Sequence, residues 1–134
     1  VANECIPLYR PGADITAVAG GAITGKTFVK VSAGLNPGNA VTGTSSTLVT
    51  VVTNTAAGKA FGVATYDAAS GARLPIICGP GQVVPVTSGA AVAAGAEVES
   101  DASGRAITLA AGKPLGMALS ASTGAGQDLF VRLY

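Results

Sequence analysis

The chain has 134 residues and a net charge of +1, with 8 Lys and Arg against 7 Asp and Glu, so no basic stripe is available to recruit nucleic acid. It contains no histidine, which excludes a Ser-His-Asp triad, an imidazole general base and a Cys/His zinc site. Hydrophobic residues reach 49% but aromatics only 4%, and there are 19 glycines: the core is Ala and Val, thin enough to gain from partners, and helices are disfavoured because each interior Gly costs about 1 kcal/mol relative to Ala.

In chain order, residues 1–14 come first. Pro7, Pro11 and Gly12 surround the apolar Ile6, Leu8 and Tyr9, with no strand partner nearby, which reads as an extended N-terminal arm. The opening VANECIPLYRPG carries an acid and no apolar h-region, so no signal peptide is expected there. Residues 15–134 read as a single β domain. Strand-like runs recur between Gly, Pro, Asn and Ser clusters: ITAVA (15–19), KTFVKVS (26–32), TLVTVVT (47–53), KAFGVATY (59–66) and RLPIIC (73–78). QVVPVT (82–87), AEVES (96–100), AITLA (106–110), LGMALS (115–120) and DLFVRLY (128–134) continue the series. Short, closely spaced strands of this kind make a sandwich or barrel. No apolar run approaches the length of about 18 residues that a membrane helix needs.

Residues 20–27, GGAITGKT, match the phosphate-binding pattern GxxxxGK[ST]. In a nucleotide site that loop opens a helix, whose N-terminal amides hold the phosphates. Here FVKVSAGLNPG follows, alternating and then broken by Gly34, Pro37 and Gly38. A strand is expected after the loop, and no nucleotide site. Glu97 and Glu99 stand two apart, so a strand would project both carboxylates from one face, expected to be solvated. Asp67, Ser70 and Gly71, like Asp101, Ser103 and Gly104, are ordinary residues of tight turns. Cys5 and Cys78 form no metal-ligand spacing and read as free thiols packing as small hydrophobes. No cofactor, small-molecule substrate or enzymatic activity is expected.

One phrase occurs twice. AGKAFGVATYDAASGARLPIIC (57–78) is echoed by AGKPLGMALSASTGAGQDLFVRLY (111–134). Both run AGK, then Gly62-Val63-Ala64 or Gly116-Met117-Ala118, then a small polar turn ending at Gly71 or Gly126, then an apolar strand. A weaker echo pairs GKTFVKVSAG (25–34) with GAEVESDASG (95–104), setting Gly25 against Gly95 and Lys26 against Ala96. An internal duplication is expected, with half-repeats at about 15–78 and 88–134 and an insertion in the first at about 35–54. A doubled β unit can close a sheet and leave no open edge.

The doubled GxAxxxAxxG-type hairpin, the VPV strand (Val84 to Val86), SGAAVAAGAEVESDASGRAITLAAG (88–112) and the final VRLY together resemble the tailed-phage capsid decoration, or head cement, proteins over most of residues 15–134. That resemblance implies a compact β-barrel or β-tulip domain, a homotrimer at three-fold positions, and a role clamping major capsid protein subunits on the outer virion surface after synthesis in the host cytoplasm. The arm and the insertion fall outside it. For the arm, capsid contact through Ile6, Pro7, Leu8, Tyr9 and Arg10 is an expectation from apolar residues set between prolines, by strand addition to a capsid sheet edge. Two other classes are alternatives: another phage component, such as a tail or head-completion protein, and a bacterial surface or pilus-like β subunit, which shares the Thr/Val/Gly/Ala composition and would favour a Cys5–Cys78 disulfide.

Overall fold

The computed structural model describes residues 14–35 and 48–134. Among them run ten strands: β1 (Asp14–Ala19), β2 (Phe28–Ala33), β3 (Val49–Thr53), β4 (Gly62–Ala64), β5 (Arg73–Ile77), β6 (Val83–Thr87), β7 (Glu97–Ser100), β8 (Ala106–Thr108), β9 (Gly116–Ala118) and β10 (Asp128–Leu133). Each overlaps one of the segments read from the sequence, β1 starting one residue earlier and β2 ending one later, and the all-β class holds. Alternation is clearest in β10, which buries Leu129, Val131 and Leu133 and exposes Asp128, Phe130 and Arg132.

The architecture differs from one barrel. Strands β1 to β5 close into a mixed barrel in the order β1-β3-β2-β4-β5, while β6 to β10 form a second, antiparallel sheet in the order β6-β10-β9-β7-β8. The barrel seals through a parallel β1–β3 pairing, with Ala19 opposite Val51. At the corresponding seam of the second sheet only an isolated parallel bridge, Ser88 to Ala106, forms. Apart from that seam the pairing order is shared. Phe28 faces Val63 as Glu97 faces Met117, and the bridge Ile23–Ala68 has its counterpart in Val92–Ser122. Gly71 and Gly126 occupy equivalent turns with φ of 85° and 83°, where a residue with a Cβ would be strained. Their N–H groups donate to the Ala19 and Ser88 carbonyls at 2.7 and 2.8 Å.

A barrel of so few strands has a narrow interior, and small side chains fill it: Ala17, Ala19, Ala64 and Ala68 pack with Val29, Val51, Leu74 and Ile76. This accounts for the Ala-rich, aromatic-poor composition. Strand β3 falls inside the stretch 35–54 read as an insertion, yet it pairs with both β1 and β2 and buries Val49 and Val51. The second core gathers Val86, Val98, Leu129 and Val131, and it also takes in Phe28 and Val63 from the barrel. Backbone bonds reinforce the junction. Phe28 N donates to the Gly104 carbonyl (2.7 Å), Thr87 N to Lys26 (2.8 Å) and Ala57 N to Ser100 (2.9 Å). Barrel and sheet therefore share one of the two cores formed by the described residues.

Candidate functional site

The phosphate-loop-like residues form a turn between β1 and β2. Ile23 is buried in its bridge to Ala68, Thr27 donates its hydroxyl to the Thr24 carbonyl at 2.6 Å, and a strand follows. Lys26 has a φ of 60° and pairs with Asp128 at 3.0 Å across the junction of the halves. Its N–H donates to the Ala64 carbonyl at 2.9 Å as that of Gly95 donates to Ala118 at 2.7 Å. Lys26 thus corresponds to Gly95, one position away from the alignment read in the sequence; both have positive φ. Among the described residues no group of three or more His, Cys, Asp or Glu is placed to hold a metal ion.

The paired glutamates do not share a solvated face. Glu97 is exposed, but Glu99 is 6% exposed, and its carboxylate accepts from the N–H groups of Ala110 (3.2 Å) and Gly112 (2.6 Å). The loop after β8 folds over it, which strand alternation could not reveal. Asp101 behaves as a turn residue: one carboxylate oxygen accepts from Ser103 N (2.9 Å) and Arg105 N (2.8 Å), the other from Arg105 Nε (2.8 Å). Asp67 likewise accepts from Gly25 N at 2.8 Å.

Among the described residues, two further surface features stand apart from these turns. The first is the outer face of the second sheet. Phe130 stands opposite Pro85 on β6, and its carbonyl accepts from Leu119 N at 2.8 Å, making an apolar row across three chain segments. Val83 and Met117 flank it on either side of Arg132. Phe130, Leu119 and Val83 are about half exposed, at 48%, 51% and 51%. At the corresponding place in the barrel, Thr16 stands opposite Pro75, so the apolar row belongs to the second sheet alone. Sequence reading passed over it, although an outward Phe in the alternating DLFVRLY was the available signal.

The second feature is a groove of about 290 Å³ where barrel and sheet meet. Phe28, Phe61, Leu115 and Leu133 line it, together with Lys59 and Lys113, the lysines of the two AGK phrases. Cys78 and Tyr134 lie at the same groove. Cys78 is a free, half-buried thiol. Burial, and secondarily the Asp14 carboxylate, raise it above the ordinary thiol value. The arm residues Ile6, Pro7, Leu8, Tyr9 and Arg10 lie outside the described residues.

Comparison with known proteins gives this surface its context. Residues 9–133 match a family model described as phage cement protein. Among solved structures, the chain is similar to the N base of the head fiber gp8.5 of bacteriophage phi29, with a TM-score of 0.70 and 16% identity over 90% of this chain and 92% of that one. At that identity the likeness is one of fold. No curated protein sequence matches the chain. The family match spans both β halves, as did the resemblance seen in the order of the sequence motifs. The chain belongs to the phage cement protein family, the non-enzymatic structural proteins that decorate phage heads.

Proposed function

We propose that this protein stabilises its capsid by binding the major capsid protein as a homotrimer at three-fold positions on the outer surface of the shell. The observation that carries the oligomer is the apolar row of Pro85, Phe130 and Leu119. A contiguous exposed apolar face is costly in water and is normally covered in an assembly. Here the equivalent barrel position has a Thr where the sheet has Pro85, so sheet geometry does not demand the row. Neighbouring subunits would cover it, adding the buried area that a core rich in Ala and Val does not supply. Near-zero net charge suits many copies packed closely on one surface.

Capsid contact is assigned in part to residues 1–14. Ile6, Pro7, Leu8, Tyr9 and Arg10 would add as a strand to an edge of the capsid protein, main-chain hydrogen bonds giving affinity and the apolar side chains filling pockets. Deleting residues 1–12 is expected to lower occupancy on cement-free capsids of the same phage, measured by co-sedimentation. Undiminished occupancy would remove the arm from the account.

The two halves are further proposed to descend from one duplicated unit, one half spanning β1 to β5 and the other β6 to β10. The shared pairing order and the matched turns at Gly71 and Gly126 support this. On that reading the extra length of the first half lies between β2 and β3, and β3 itself is the counterpart of β8.

A further inference from the structure

The repeated AGK phrase is not used by the strands, yet both copies meet at one place. Lys113 N donates to the Ala57 carbonyl at 3.3 Å, and a Cβ at Gly112 would sit 2.7 Å from the Ala57 Cα. The two turns therefore stack directly on each other, one from each half. Buried polar side chains hold each of them. Glu99 accepts from the Ala110 and Gly112 N–H groups in the second turn. Asn54, 1% exposed, donates its side-chain amide to the Gly58 carbonyl at 3.2 Å in the first. Two backbone turns fixed in this way present their lysines from a rigid frame, so little backbone entropy is lost when a partner binds and the ordering cost falls on the lysine side chains.

What they present has a definite chemistry. Lys59 and Lys113 are exposed at the groove, and neither makes an ion pair among the described residues. Phe28, Phe61, Leu115 and Leu133 line the same groove, and Phe28 and Leu133 are buried at 1% and 5% exposure. At about 290 Å³ the groove is at the small end of ligand pockets, which run from roughly 300 to 1,000 Å³. That size suits one or two apolar side chains of a partner chain better than a whole cofactor. Cations beside an apolar floor call for an apolar anchor flanked by carboxylates.

We infer that the stacked AGK turns form a receptor for an acidic segment of the capsid protein, which inserts an apolar side chain between barrel and sheet while its carboxylates pair with Lys59 and Lys113. The inference rests on the capsid-binding reading above and adds a second contact to the one assigned to the arm.

The test uses the full chain and cement-free capsids of the same phage, with binding measured across a range of NaCl concentrations. The double variant Lys59→Gln/Lys113→Gln changes only exposed side chains and is expected to fold as the wild type does, which thermal melting checks. Its apparent affinity should fall at least about tenfold, within the range of coupling measured for close interfacial charge pairs. Its salt dependence should flatten as well, because the screened contacts are gone. A control, Lys30→Gln/Arg73→Gln, removes the same charge at residues that do not line the groove and should bind as wild type. Equal affinity and salt slope for wild type and groove variant would overturn the inference and leave capsid binding standing. Equal losses in both double variants would reduce the effect to net charge and overturn it too. Failure of the wild type itself to bind would overturn the capsid reading, and the inference with it.

Discussion

Gly62 and Gly116, the first residues of the repeated GxA strands, show how individual positions constrain the fold. A Cβ on Gly62 would contact the Ile77 carbonyl and lie 2.8 Å from Ile76 Cγ2; on Gly116 it would lie 2.6 Å from Val131 Cγ1. These neighbours are backbone and core side chains that cannot swing away. Gly62→Ala and Gly116→Ala should therefore each destabilise the protein by about 1–3 kcal/mol, the usual cost of overpacking, read as an earlier midpoint in urea. A midpoint equal to wild type in either variant would contradict the packing described. The sequence marked both glycines through the repeat, because the same local geometry was needed twice. Glu99 was misread for the opposite reason. What buries it is the loop at residues 110–112, and the period-two pattern of β7 carries no information about a loop that arrives from beyond β8.

At the scale of elements, all ten strands were legible because Gly, Pro and Asn punctuate them and Val, Ile and Thr fill them. The closure was not. A parallel pairing of β1 with β3 joins strands separated by β2 and the stretch after it, and such non-local contacts leave no periodic trace. The shortfall at the second seam was equally hidden: β8 has three residues against the five of β3, and a single bridge results. The face of β10 could have been read further, since Phe130 stands between Asp128 and Arg132 on the side that alternation assigns to solvent. Phe130→Asp should lower monomer stability by only about 1–2 kcal/mol, the loss of strand propensity and of one cross-strand pair, which leaves the protein folded. It should also reduce the cross-linked trimers recovered from capsid-bound protein. An unchanged trimer yield would mean that another surface joins the subunits.

For the molecule as a whole, two β halves with thin cores are held together where Phe28 and Val63 enter the core of the second sheet and where the AGK turns stack. Thin cores stand to gain from burial in an assembly, and family membership places the protein on one: a phage head. The family was legible in the order of small Gly and Ala motifs, none specific alone. The exposed apolar row on the second sheet and the groove at the junction were not, because both depend on which side chains remain uncovered after folding. The most direct test is a cryo-electron microscopy reconstruction of cement-free capsids incubated with the purified protein. Three-fold-symmetric density repeated over the outer shell, fitted by three copies of the barrel and sheet, is the predicted result. A bare shell, or density confined to a single vertex, would contradict it.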